Sequence, residues 1–295
     1  MAFARNRDVE IYYDTFGDRA DEALLLISGL GSQCITYRVP WCLRLAAMGY
    51  FVVRYDNRDA GLSTKFDEGS VNALPGSGVT PSSHASRDYL LSDMASDGLA
   101  VLDALGVERA HVVGVSMGAM IAQTMAIEHP HRMLTLTSIM STTGDLDVGW
   151  PSTEARLVLL SRPPSDRDSF VAMRLASARA WGSPGCFDEE ELTALAVELF
   201  ERNFCPQGVA RQLGAIVRSG SRTAALANVT VPTLVVHGDA DRLIDQSGGR
   251  RTADAIPGAR FVMIEGMGHD YPSKYWDELG ELLHDHLRAS RHRGQ

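Results

Sequence analysis

Residues 110–120 read Ala-His-Val-Val-Gly-Val-Ser-Met-Gly-Ala-Met, and the rest of the chain is organised around them. Ala110–Val115 has the apolar, β-branched composition of a buried strand, and Ala119-Met120-Ile121 opens a helical run. Between them Gly114-Val115-Ser116-Met117-Gly118 matches G-x-S-x-G in the strand–turn–helix context that gives this pattern chemical meaning. A serine on so sharp a turn sits in strained backbone and is exposed at the strand end. The flanking glycines are expected where a Cβ would collide with a neighbouring strand or helix. The following helix offers unpaired N–H groups and the positive end of its dipole to a developing oxyanion. A bare five-residue match is more often only a glycine-rich turn. Strand, helix and two partners downstream favour the nucleophile.

A serine at neutral pH needs a base within hydrogen-bond reach, itself oriented by a third group. His269 lies in Glu265-Gly266-Met267-Gly268-His269-Asp270, a loop directly after the last expected strand. Of the nine histidines, His111 and His237 fall at strand ends and read as packed. His129 and His131 flank Pro130 at a helix end, and His284, His286 and His292 lie on the terminal helix or tail. His84 sits in a long loop without supporting context. His269 is therefore the expected base. For the acid, Asp241 follows the strand Thr233–His237 with the register to turn back towards the site. Asp145, after the strand Met133–Ser141, and Asp239 are the alternatives, in that order. The order Ser116, Asp241, His269 is that of a serine–acid–histidine relay on an open α/β sheet. For the oxyanion, the Met117 N–H follows the nucleophile, and Leu30, between Gly29 and Gly31, is the natural second donor.

The remaining pattern is strand, loop, helix, repeated. Val9–Thr15 reads as an edge strand, Ala23–Ser28 and Tyr50–Asp56 as strands of a parallel sheet covered on both faces, and Tyr37–Met48 and Arg87–Leu105 as helices. Phe66–Ser86 reads as a long surface loop. From about Thr142 to Ala227 no buried strand is expected, only helices over Ser152–Ser161, Ser169–Trp181, Asp188–Asn203 and Gln207–Ser219. The sheet resumes at Thr233 and continues with Ala259–Ile264, and a last helix starts at Ser273. This predicts a mostly parallel, doubly wound sheet of residues 1–141 and 228–295, with 142–227 inserted as a helical cap. Asp56, Arg58, Asp59 and Ser63 read as a structural polar network.

The net charge is −9, which argues against nucleic acid or an anionic membrane as the partner; the Arg288–Arg293 cluster reads as a solvated tail. Cys34, Cys42, Cys186 and Cys205 show neither C-x-x-C nor zinc-type spacing, so no metal and no thiol redox chemistry is expected. The N-terminus lacks the apolar stretch of a signal peptide, and no apolar run reaches the roughly 18 residues of a membrane span. A cytoplasmic protein is the expectation, of oligomeric state the residues leave open.

Ser28-Gly29-Leu30-Gly31, Tyr55–Ser63 (YDNRDAGLS), Gly114–Gly118, Gly238-Asp239-Ala240-Asp241 and Gly266–His269 together resemble the α/β-hydrolase fold family over essentially the whole chain. Within it, RYDNRDAGLST and HVVGVSMGAM are most similar to the aclacinomycin methylesterase-like and small lipase/esterase branch. The resemblance implies cofactor-free hydrolysis of a carboxylic ester, with Ser116, Asp241 and His269 as triad and the Leu30 and Met117 amides as oxyanion hole. Family members often carry His-Gly where this chain has Ser28-Gly29, so other hydrogen bonds must steady that loop. A small ester with an apolar acyl part is the expected substrate. Thioesterase, lactonase, C–C hydrolase and perhydrolase (cofactor-free haloperoxidase) chemistry use the same residues. A non-enzymatic small-molecule receptor or a mere scaffold are the readings outside catalysis.

Overall fold

The computed structural model describes residues 1–66, 88–161 and 163–291. Apart from Phe66, the loop expected over Phe66–Ser86, with His84, lies outside them, as do His292 and Arg293 of the tail. Eight strands form one sheet: β1 (Ala2–Asn6), β2 (Val9–Phe16), β3 (Glu22–Ile27), β4 (Tyr50–Tyr55), β5 (Ala110–Val115), β6 (Met133–Ile139), β7 (Thr233–Gly238) and β8 (Arg260–Ile264). Their order is β1-β2-β4-β3-β5-β6-β7-β8. β1/β2 and β2/β4 pair antiparallel, and every other neighbouring pair is parallel. The edge is β1, not Val9–Thr15 as the sequence reading has it. Asn6 pairs with Val9 across a tight turn in which Arg7 takes a φ of 56°, so the first residues fold back on the second strand.

The helices are α1 (Val39–Ala47), α2 (Leu91–Ala104), α3 (Met117–Glu128), α4 (Thr153–Leu159), α5 (Arg167–Trp181), α6 (Glu189–Arg202), α7 (Pro206–Ser219), α8 (Thr223–Leu226), α9 (Gln246–Ala255) and α10 (Trp276–Arg291). α1 and α10 cover one face of the sheet, with Trp41, Leu45, Leu279 and Leu283 against Leu24, Leu26, Val113 and Val236. α2 and α3 cover the other, with Leu91, Met94, Ile121 and Met125 against Leu25, Ile27 and Val112. β3 is apolar without alternation because both its faces are covered: Leu24, Leu25, Leu26 and Ile27 are all 0% exposed. Each such side chain contributes about 1.5–3 kcal/mol by leaving water. α3 is buried from Met117 to Ala126, which is why its sequence lacks a polar stripe.

The chain leaves β3 for β4 on one side and then crosses to β5 on the other, so the order in which strands are added reverses between β3 and β5 while the strands stay parallel. Ligands of open α/β sheets bind outside the carboxyl ends of strands at such a reversal. Ile27 pairs with Gly114, which brings the loop after β3 beside the turn after β5. Between β6 and β7 the described residues form only helices, α4 to α8. α5 and α6 meet through Phe170 and Phe200, joined by Phe204 just after α6, with ring centroids 4.8–5.9 Å apart. α8 is absent from the sequence reading because four residues carry no helical period.

This helical segment is tied to the sheet by buried charges. Arg202 of α6 meets Asp56 at 2.7 Å, and Arg211 of α7 meets Asp59 at 2.6 Å, both carboxylates 0% exposed. The Gln33 amide donates to Leu199 O and Asn203 O at the end of α6. Two further members of the expected polar network also take part: Arg58 pairs with buried Asp97, and Ser63 Oγ donates to Asp56 O.

Candidate active site

Ser116 sits between β5 and α3 with φ 56° and ψ −121°. Such backbone costs on the order of 1–3 kcal/mol and persists only where its surroundings over-determine it. They do: Ser116 N donates to Ile139 O at 2.9 Å, and Ser141 Oγ donates to Ser116 O at 2.8 Å. The two glycines are dictated by packing. A Cβ on Gly114 would strike Gly118 O, and one on Gly118 would strike Ile27 O.

Three loops at strand ends converge on the serine. His269, after β8, has Nε2 3.0 Å from Ser116 Oγ. Its Nδ1 lies 2.7 Å from Asp241 Oδ2 in the loop after β7. The other carboxylate oxygen, Oδ1, accepts the Leu243 and Ile244 amides, both at 2.9 Å. Burial alone pushes the Asp241 carboxyl up, but His269 and His237 beside it outweigh burial and hold it well below the ordinary carboxylate range. Asp241 is 0% and His269 7% exposed, whereas Ser116 is half-buried. The hydrogen-bonded chain is dry at Asp241 and open at Ser116.

The alternative acids go elsewhere. Asp145 accepts Ser221 Oγ at 2.5 Å, Thr223 Oγ1 at 2.7 Å and Arg251 Nη1 at 2.5 Å; these bonds hold its carboxyl down at about 2. Asp239 accepts the Gly266 amide at 2.7 Å. His111 and His237 are packed in the interior, His111 against Thr135 and Glu22. His237, expected to be packed, also lies 3.4 Å from Asp241 and is bonded to Ile244 O at 2.8 Å.

Neither expected amide donor meets an acceptor among the described residues. Met117 opens α3, where an N–H has no intrahelical partner. Leu30 follows Gly29, whose added Cβ would lie 3.3 Å from Ser116 Cβ, and among the described residues its N–H meets no acceptor. Ser28 does not steady this loop through its hydroxyl, which is buried without a partner among the described residues. Asn57 does so instead, donating to Ser28 O at 3.0 Å.

The histidine loop is clamped by residues that no motif announces. His269 N donates to Trp181 O at 2.6 Å, Gly268 N to Ser183 Oγ at 2.9 Å, and Ser183 Oγ to Asp270. Contacts between residues about 85 apart leave no spacing signal in a single sequence. Among the described residues, no three His, Cys, Asp or Glu side chains gather so as to hold a metal ion, and all four cysteines are free. No helix there is long and apolar enough to cross a membrane.

A serine, a histidine and an aspartate joined by hydrogen bonds beyond the carboxyl ends of a mostly parallel sheet are the arrangement of α/β hydrolases. Residues 22–179 match the α/β-hydrolase fold family, and the chain belongs to it, a hydrolase by class. It is 31% identical to rhodomycin D methylesterase DauP of Streptomyces sp. (strain C5), over 96% of each chain. It is 30% identical to rhodomycin D methylesterase DnrP of Streptomyces peucetius, over 97% of each. In fold it resembles the enol-lactonase from Burkholderia xenovorans LB400, with a TM-score of 0.75 at 22% identity over 97% of this chain and 100% of that one.

Proposed function

We propose that the chain is a serine carboxylic-ester hydrolase working through an acyl-enzyme, with residues 142–227 as a cap over Ser116. The single observation that carries this reading is the unbroken chain of hydrogen bonds from Asp241 Oδ2 through His269 to Ser116 Oγ. Ser116 Oγ attacks the ester carbonyl carbon while its proton passes to His269 Nε2. The carbonyl oxygen becomes an oxyanion, held by the Leu30 and Met117 N–H groups. Asp241 holds the imidazolium and fixes its tautomer. The C–O bond to the alcohol then breaks, Nε2 returns its proton to the departing oxygen, and the acyl group stays on Ser116. Water, giving its proton to His269, attacks the acyl carbon and releases the acid. The cap supplies the acyl pocket, and the relatives' activity makes methyl esters the leaving-group class to examine first after activated esters.

The test is release of p-nitrophenol from a series of acyl esters by wild type and Ser116→Ala, followed by release of methanol from methyl esters. Turnover by wild type and background rates in the variant support the reading. A variant as active as wild type, or two equally inert proteins, overturns it.

A further inference from the structure

We infer that Gln212 of α7 is a positioning residue for the oxyanion loop, an inference that rests on the esterase reading above. Gly29–Ser32 forms a turn closed by Ser32 N donating to Gly29 O at 3.2 Å, with Gly31 at φ 64° as in a type II turn. A glycine at that position adopts either sign of φ at little cost, so the turn alone does not select one orientation of its central peptide. Gln212 selects it. Its Oε1 accepts the Gly31 N–H at 2.8 Å, and its Nε2 donates to Arg58 O at 2.8 Å, with the side chain 0% exposed. Neither half of the amide is free to turn, because Nε2 meets the buried Arg58 carbonyl and Oε1 meets the Gly31 N–H, backbone groups of the complementary kind.

Besides the Gln33 bonds to α6, three contacts hold residues 28–34. Asn57 holds the Ser28 carbonyl at 3.0 Å, Asp56 Oδ1 accepts the Cys34 amide at 2.7 Å, and Gln212 holds the middle. The first two come from the loop after β4. Gln212 comes from the helical segment between β6 and β7, and its neighbour Val209 packs on Gly31 at 3.0 Å from the place of an added Cβ. Without the Gln212 carbonyl the Gly31 N–H loses its protein acceptor, and nothing else among the described residues holds the turn to one orientation of its central peptide. A flip of that peptide sits one residue from the Leu30 amide. The flip changes Leu30 ψ, so the Gln212 side chain of the helical segment steadies the turn that carries the Leu30 donor.

The test compares wild type with Gln212→Met, which keeps length and loses both bonds, and Gln212→Glu, which keeps an acceptor for Gly31. Readouts are kcat and KM on a p-nitrophenyl ester, melting temperature, and the rate at which a fluorophosphonate labels Ser116, a reaction that also needs the oxyanion donors. Removing an oxyanion donor outright costs about 10²–10³ in kcat, so misdirecting one predicts a loss of about 10- to 100-fold in the Met variant. KM stays within about twofold, labelling slows in parallel, and Glu recovers most of the rate. A Met variant with unchanged kcat, or one that loses only melting temperature, overturns the inference. So does a Glu variant that folds yet is as slow as Met. Should wild type hydrolyse no ester, slower labelling of the Met variant still upholds the positioning role while the esterase reading falls. Labelling that is equal in both, or absent in wild type, overturns both.

Discussion

Replacing Asp241 by asparagine changes one atom of the relay, and the surrounding hydrogen bonds dictate how the new amide must lie. Oδ1 accepts two backbone amides, Leu243 N and Ile244 N, both at 2.9 Å, so only the amide oxygen fits there. The NH2 group is forced into the place of Oδ2, facing His269 Nδ1 at 2.7 Å. Nδ1 must then accept, and the ring proton moves to Nε2, pointing at Ser116 Oγ instead of waiting to receive its proton. The fold is undisturbed, because both backbone bonds survive. The expected loss in kcat is about 10⁴-fold, about 5.4 kcal/mol of barrier, the scale set by the same wrong-tautomer substitution in a serine protease. Asp241→Ala is the control. It frees His269 to adopt either tautomer while leaving the Leu243 and Ile244 amides without their acceptor, so it lowers the melting temperature more and kcat less. Steady-state hydrolysis of a p-nitrophenyl ester, with circular dichroism for the fold, separates the two variants. An asparagine variant within tenfold of wild type, or one no slower than alanine, refutes the tautomer argument.

Two further predictions concern stability. Arg211→Met strands the Asp59 carboxylate, which among the described residues keeps Tyr89 OH at 2.7 Å and Phe66 N at 3.0 Å; the expected cost is about 3–5 kcal/mol, a fall in melting temperature of about 5–8 °C for a chain of this size, and a shift under one degree counts against it. His286, bonded to Leu136 O, is pulled by burial from 6.5 down to about 4. Between those values the unfolded chain binds the proton more readily, so this residue's stabilisation is complete above about pH 6.5 and is lost as pH falls towards 4. The residue accounts for about 2 kcal/mol of stability lost between pH 7 and 5, and His286→Gln should show a decline smaller by that amount in denaturant titrations; an identical decline refutes the assignment.

The sheet was legible because β3, β4, β5 and β7 are short runs without alternation, which only a doubly covered sheet requires. β1 was not, since Ala2–Asn6 buries one residue in five and its turn through Arg7-Asp8 lacks the Asn-Gly or Asp-Gly signal of a hairpin. Ser116 and His269 could be read from local context, a strand end followed by glycines. Choosing among Asp241, Asp145 and Asp239 depended on register, and the partners that draw Asp145 away, Ser221, Thr223 and Arg251, lie 76 to 106 residues distant. The same remoteness hid Ser183, Gln212 and the two arginines that meet Asp56 and Asp59. Side chains that pair across the fold have no period and no motif; only their types hinted at a network.

The charge pairing between the sheet and α6–α7 bears on how this enzyme can be re-engineered. Swapping residues 140–232 for the corresponding helices of a relative looks like an exchange of one specificity cassette for another. Asp56 and Asp59 are 0% exposed and are neutralised from that stretch, by Arg202 and Arg211. A donor lacking arginines at matching places would leave two dry anions beside the loop that carries Leu30, and the chimera would fail in folding before its selectivity could be assayed. Recombination here has to carry the basic partners with the helices, or neutralise both aspartates in the recipient in the same step.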